Sequence, residues 1–300
     1  MQKNIIVFGA TGFFGGSFVR SLVGKNVTLV TREYVSDNLG FNNVLYTDLG
    51  NSVIEESFHL AFDFSSRVSV EEFLMDPQKE FLNNIEITIK NIRFLSKLGF
   101  NGRYVYISTD RALADADDVD YVNQINVRND PYGASKLIGE LIVKYACSLD
   151  WDSATVIRFP NLYGSGQKSK QLIPTILDEL KKGQLKIELG TLVGSRNYLH
   201  ISDAVDALIK FVDDPGIEQD LCISGVNVTI ETILKCFTEC IKTRYDKEVT
   251  FIPRNKVSSR SSFKTPPEIL DDLVFRRKYN WEPKVTIENG INLLLEMEKI

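Results

Sequence analysis

Two residues four apart carry the first usable chemistry. Tyr132 and Lys136, in Pro131-Tyr132-Gly133-Ala134-Ser135-Lys136, open an apolar-periodic stretch that reads as a long helix. At that spacing they share one helix face. An ordinary tyrosine titrates near pH ~10. A neighbouring ammonium favours the phenolate and is expected to lower that value. The pair could then exchange a proton with a carbinol oxygen. A hydroxyl at an adjacent strand end would hold the same oxygen, and Thr109 ends the β-branched run Tyr104-Val105-Tyr106-Ile107-Ser108-Thr109. A Tyr-x-x-x-Lys spacing arises often by chance. Its position downstream of Ser108-Thr109 and of a glycine-rich turn gives it weight.

That turn is Gly9-Ala10-Thr11-Gly12-Phe13-Phe14-Gly15, directly after an apolar run and directly before a helical pattern. Glycines there permit a tight strand-to-helix turn, close approach of backbone to a pyrophosphate, and close packing of helix on sheet. The helix N-terminus would aim unpaired N–H groups, those of Phe13 and Phe14 included, at phosphate oxygens. The end of the second strand should reach the adenosine ribose. Thr31-Arg32-Glu33 stands there. Arg32 suits a 2′-phosphate and so favours NADP, whereas Glu33 would bond a 2′-hydroxyl and favour NAD. Asp48-Leu49 ends the third apolar run, where the carboxylate could bond an adenine amino group or cap a helix.

The elements that must position these groups alternate along the chain. Residues 4–10, 27–32, 43–48, 58–66, 103–109 and 154–159 read as strands. Residues 12–24, 77–98, 132–148 and 202–213 read as helices. Alternation of this kind argues for an α/β fold: a doubly wound parallel sheet, covered on both faces, of the Rossmann type. The expected division is a dinucleotide-binding domain over 1–164, to which 201–226 returns. A smaller, mainly C-terminal substrate lobe is expected from 165–200 and 227–300.

Composition removes other chemistries. With 300 residues and 43% hydrophobic content the chain can bury a large core without staples. Net charge is −5 and no Lys/Arg cluster stands out, so nucleic acid is not an expected partner. No apolar run reaches membrane-spanning length, and the first residues do not read as a secretory signal, so no membrane association and a cytoplasmic location are expected. Cys147, Cys222, Cys236 and Cys240 lack zinc-type spacing; Cys236 and Cys240 read as small residues on one buried helix face. His59 and His200 are the only histidines, which rules out a three-histidine metal site.

Taken together in order, these motifs resemble the extended short-chain dehydrogenases of the NAD(P)-dependent epimerase/dehydratase family, which act mostly on nucleotide-activated sugars. The likeness spans nearly the whole chain. Besides the glycine turn and the Thr109, Tyr132 and Lys136 set, it includes Asn84 in Asn83-Asn84-Ile85. It continues through Arg158-Phe159-Pro160-Asn161-Leu162-Tyr163-Gly164 and Arg196-Asn197-Tyr198-Leu199-His200-Ile201-Ser202-Asp203, and ends in Tyr279-Asn280-Trp281-Glu282-Pro283. The resemblance implies that Gly9, Thr11, Gly12, Phe13, Phe14, Gly15, Arg32, Asp48, Leu49, Asn84, Tyr132 and Lys136 meet the cofactor. It implies substrate contacts for Asp110, Arg111 and Asn161, and for Arg196 and Arg260 on a nucleotide diphosphate. It further implies a homodimer through the helices at 77–98 and 132–148.

Three positions depart from the family pattern. His59-Leu60-Ala61 looks like the family's fourth-strand ending. Counting back from Asp76-Pro77 instead places that ending at Asp63-Phe64-Ser65-Ser66, with Ser65 and Ser66 near the cofactor and His59 a strand residue in a packing or surface role. Sugar 4,6-dehydratases follow the threonine with Asp and Glu; here the run is Thr109-Asp110-Arg111, and an arginine accepts no proton. Leu113-Ala114 stands where the family has Tyr-Gly before an acid, here Asp115. The expected reaction is hydride transfer at C4 of a nucleotide sugar, with 4-keto reduction by NADPH favoured. A 4-epimerase with retained NAD is the alternative, and a non-catalytic dinucleotide sensor or scaffold is the alternative of another class.

Overall fold

The computed structural model describes residues 3–32, 40–45, 57–68, 70–112, 130–168, 171–190, 192–214, 216, 219–254 and 271–300. Seven strands form one parallel sheet: β1 (Asn4–Phe8), β2 (Asn26–Thr31), β3 (Asn42–Leu45), β4 (Leu60–Asp63), β5 (Arg103–Thr109), β6 (Ser153–Phe159) and β10 (Leu221–Cys222). Their order is β10-β6-β5-β4-β1-β2-β3. The chain reverses its direction of travel between β1 and β4, so a crevice opens beyond the carboxyl ends of those two strands. Doubly wound sheets bind their ligands at that switch point.

Alternate residues of each strand serve opposite faces. Ile5 and Val7 of β1, with Val105 and Ile107 of β5, pack against α1 (Phe13–Arg20) and α6 (Ile201–Asp213). α8 (Leu273–Tyr279) and the buried Trp281 close the same layer. Ile6 and Phe8, with Tyr104 and Tyr106, face the other layer. There α3 (Pro77–Lys97) and α4 (Pro131–Asp150) pack side by side, and α2 (Val70–Met75) joins α3. Asp76 caps α3 by accepting the Lys79 N–H at 3.1 Å, and Pro77 follows at the first helical position, where its missing N–H costs nothing.

A second core lies outside the sheet. It gathers α5 (Leu172–Lys181), α7 (Ile230–Tyr245) and α9 (Ile287–Met297). The parallel pair β8 (Lys186–Leu189) and β12 (Thr250–Pro253) completes it. Between the two cores runs a three-stranded sheet of β7 (Asn161–Tyr163), β9 (Ser195–His200) and β11 (Val226–Thr229), in the order β11-β9-β7. Cys240 is buried in the second core and Cys236 packs against it, as their spacing on one helix face indicates.

Several element bounds differ from the sequence reading. The first helix ends at Arg20 rather than continuing to residue 24, because residues 21–24 turn instead and Gly24 adopts φ +83°. β1 stops at Phe8, since Gly9 leaves the strand at φ +75°. β4 covers Leu60–Asp63 only; His59 precedes it, exposed, and its Nδ1 accepts the Asn4 N–H at 3.2 Å. β3 ends at Leu45. Asp48, Leu49, Glu33, Asp115 and Arg260 lie outside the described residues.

Candidate active site

The glycine turn sits against the end of β4. A Cβ on Gly9 would stand 2.8 Å from both the Phe64 carbonyl carbon and the Ser65 nitrogen. A Cβ on Gly15 would stand 2.3 Å from the Gly9 carbonyl oxygen. Both neighbours are backbone, so neither position has room for a side chain. Gly12 caps α1 without any side-chain hydrogen bond, and the first turn carries no acidic residue. Unpaired N–H groups and the positive end of the helix therefore face outward together, which is the electrostatics an anion needs. Phe14 turns its ring inward, edge-on to Phe64 at 5.0 Å and Phe159 at 4.9 Å, leaving only its backbone to the turn. The Phe13 ring lies by Gly164. Thr11 is exposed, and so is Arg32, one residue beyond β2.

The segment after β4 is held by a buried polar network. Asp63 is fully buried. It accepts hydrogen bonds from Tyr104 (2.5 Å), Asn91 (3.0 Å), the Ser65 N–H (2.8 Å) and the Ser65 hydroxyl. Asn91 also donates to the Ser65 Oγ at 2.7 Å. The Ser65 hydroxyl thus spends its bonds inside the protein, fixing the strand end. Ser66, one residue on, lies beside the Tyr132 phenol and favours its ionised form. Asn84 has a comparable inward role: its amide bonds the Arg67 backbone at 2.7 and 3.2 Å and the Ser135 hydroxyl at 3.1 Å. It pins the loop after β4 to the helix that bears Tyr132.

Lys136 is the group this structure leaves incomplete. Its side chain is 1% exposed, yet its Nζ has no hydrogen-bond partner. It rests 3.9 Å from the centroid of the Tyr106 ring. An ammonium buried this far normally finds acceptors. Ribose hydroxyls of a nicotinamide dinucleotide would supply them. The orphaned ammonium and the uncapped glycine turn both fit that cofactor.

Burial reverses the expected direction of the Tyr132 shift. Desolvation pushes the phenol above the ordinary tyrosine value; Lys136, Arg111 and Ser66 all oppose it without overcoming it. Burial likewise pulls Lys136 below the ordinary lysine value, with Tyr132, Asp63 and Glu140 opposing. The sequence spacing shows the attraction between the two groups. It does not show the desolvation that outweighs it.

Thr109 ends β5, and its Oγ1 donates to Asp110 at 3.0 Å and accepts the Arg111 N–H at 3.3 Å. Asp110–Ala112 form one 3-10 turn, from which the Arg111 guanidinium reaches over the Tyr132 ring at 5.1 Å. The ring also meets Phe73 edge-on at 5.9 Å. One turn past Lys136, Glu140 accepts from the Ser108 hydroxyl at 2.5 Å and grips Arg158 through two bonds, at 3.0 and 2.5 Å. β5, β6 and α4 are locked together there. Thr109, Arg111 and Tyr132 thus join in one connected set, with Lys136 one turn along α4. Asn161 and Arg196 lie on neighbouring strands β7 and β9, Asn161 two residues beyond Phe159, the register partner of Thr109. Asn161 donates to the Asn197 carbonyl at 3.1 Å, and Arg196 to the Ser195 carbonyl at 2.7 Å.

Sequence reasoning missed Tyr106, Asp63, Asn91 and Asp130 as parts of this site. Tyr106 lies three residues before Thr109, on the opposite face of β5, and only the fold brings its ring under Lys136.

A family model described as the NAD dependent epimerase/dehydratase family matches residues 5–220. A GDP-6-deoxy-D-mannose reductase of Pseudomonas aeruginosa is 24% identical over 314 residues, which cover 98% of this chain and 97% of the relative. The solved UDP-glucose 4-epimerase of Thermotoga maritima, with UDP-glucose, superposes with a TM-score of 0.74 at 23% identity, covering 99% of this chain and 98% of that one. The Pseudomonas aeruginosa RMD structure, complexed with NADPH, gives 0.75 at 20%, covering 99% of each.

Proposed function

The chain belongs to the NAD dependent epimerase/dehydratase family, and from that premise we propose that it reduces C4 of a nucleotide-activated 4-keto sugar with NADPH. The buried, unpartnered Lys136 ammonium beside Tyr132 carries this reading. The bound nicotinamide supplies the hydride. Tyr132 gives its proton to the oxygen at C4. Lys136 offsets the negative charge that develops on the phenol and takes the ribose hydroxyls. Thr109 orients the reacting oxygen by turning its hydroxyl from Asp110 to donate to it. Ser66 holds the phenol, while Ser65 and Asn84 set the loop that carries it. Gly9, Gly12 and Gly15 admit the pyrophosphate, and Arg32, exposed beyond β2, takes the 2′-phosphate. Asp48 and Leu49 serve the adenine.

Arg111 supports reduction over dehydration, because it occupies the place where water elimination needs a base. Asn161 and Arg196 on the central three-stranded sheet, with Arg260, take the nucleotide-sugar, and the second core serves as the substrate lobe over 165–200 and 227–300. Leu141, Tyr145 and Leu149 recur every four residues as an exposed stripe on α4, and a second copy of this chain covers them in a homodimer.

The test is NADPH oxidation on a panel of 4-keto nucleotide sugars, with Tyr132→Phe alongside. Oxidation that Tyr132→Phe lowers by about 10²–10⁴, the range of a lost general acid, supports the reading. Wild-type rates from Tyr132→Phe reject it. Mass spectrometry of co-purifying nucleotides separates the two cofactors, and tightly held NAD would favour 4-epimerisation.

A further inference from the structure

Arg111 is anchored from three sides. Its Nε donates to the Asp130 carboxylate at 2.5 Å. Its carbonyl oxygen lies where a Cβ on Gly133 would be 2.2 Å away, so the 3-10 turn is pressed onto the first turn of α4. Its guanidinium covers the Tyr132 ring at 5.1 Å. Asp130 meanwhile caps α4, accepting the Tyr132 N–H at 3.2 Å. One carboxylate therefore fixes both the helix that carries the phenol and the cation above it. Lys136 lies one turn along from the phenol on the same helix face. Tyr132 thus has Arg111 over its ring and Lys136 one turn along its helix, of which only Lys136 follows from helical spacing.

We propose that Arg111 is a positioning residue for Tyr132: it holds a permanent positive charge against the ring and keeps the phenolate within reach at the moment of proton exchange. The inference rests on the reading of Tyr132 as the proton donor. A guanidinium suits this work because it stays charged when desolvated and lies flat on an aromatic face. It adds no second proton donor or acceptor to the reaction. The other groups near the phenol are Lys136 on α4, Ser66 after β4 and Tyr106 on β5.

The test is a pH titration of tyrosinate absorbance on the full chain, each protein measured against its own Tyr132→Phe counterpart to isolate this phenol. Arg111→Gln should raise the Tyr132 midpoint by about one pH unit, a tenfold change in its ionisation equilibrium. Arg111→Lys should raise it less. Asp130→Asn keeps the helix cap through its one amide oxygen but turns a donor on the Arg111 Nε–H, so it releases the guanidinium and should also raise the midpoint. A rise in both, with Arg111→Lys recovering part of it, supports the proposal, since general loosening of the site would not be rescued by a cation at position 111. Midpoints that coincide with wild type, or an Arg111→Lys shift as large as that of Arg111→Gln, overturn it. So does a wild-type Tyr132 that stays un-ionised to pH ~12, two units beyond the ordinary phenol. Failure of the functional reading shows separately, as Tyr132→Phe that still oxidises NADPH at the wild-type rate.

Discussion

Tyr132 and Lys136 each lose stability of the charged form to burial, and each recovers part of it from the other. The ring of Tyr106 lies under the ammonium and adds a contact that needs no hydrogen bond. Burial and the nearby Asp63 carboxylate push the Tyr106 phenol far above its ordinary value, so it remains neutral. What Lys136 uses is therefore the ring face. Replacing Tyr106 with Phe should leave NADPH binding within about threefold of wild type, whereas Tyr106→Leu should weaken it about tenfold, the scale of a desolvated cation–π contact. Equilibrium binding followed by nicotinamide fluorescence distinguishes the two. Equal losses from both variants would assign the role to the hydroxyl. Tyr132 and Lys136 were legible as a pair because helical spacing alone places them on one face. Tyr106 and Asp63 were not, because in sequence they are only strand residues, and the contact that matters crosses from sheet to helix.

At the scale of elements, the parallel sheet was legible because its strands carry continuous apolar runs and the intervening helices carry a 3.6-residue pattern. β5 was read at its observed bounds, and α3 to within one residue. The ends read less well where a single glycine turns the chain, as Gly9 does after β1 and Gly24 after α1. β4 ends at Asp63 and not at His59-Leu60-Ala61, and Phe64 and Ser65 beyond it form the wall against which the glycine turn closes. That wall makes a sharp prediction. In Gly15→Ala the new methyl meets the Gly9 carbonyl at 2.3 Å, so helix and turn must separate. Overpacking of this kind costs about 1–3 kcal/mol. Thermal unfolding should register the loss, and added NADPH should recover less of it than in wild type, because the same methyl spoils the anion site. Gly24→Ala serves as the control: its cost should come from a left-handed backbone with open space around it, and leave the response to NADPH unchanged.

At the scale of the whole molecule, long-range contacts tie the two cores together and brace the second one. Asp203 on α6 accepts the N–H groups of Lys284 and Val285 at 3.0 and 2.9 Å, fixing the approach to α9. At the far end of α9, Glu298 accepts from the Ser165 hydroxyl at 2.6 Å and the Gly166 N–H at 3.0 Å, and pairs with Lys181 at 2.6 Å. It thereby joins α9 to the turn after β7 and to α5. The proposed homodimer is tested on α4: Tyr145→Glu in the exposed stripe should convert the sedimenting species to a monomer, and a wild type that sediments as a monomer would refute the interface. Glu298 offers a prediction in pH. Those hydrogen bonds and Lys181 hold its carboxyl down at about 2, against an ordinary value of 4.5. The folded state thus favours the ionised form. Its stabilising effect is complete above about pH 4.5 and is lost as pH falls towards about 2, when the carboxylate is protonated in both folded and unfolded chains. Lys181 is well exposed, so solvent screens the ion pair and the effect at neutral pH is about 1 kcal/mol. Glu298→Gln should therefore melt a few degrees below wild type at pH 7, and the two melting curves should converge as the pH drops below about 4.5. A gap between them that persists unchanged at pH ~3 would mean that the glutamate acts through packing rather than charge.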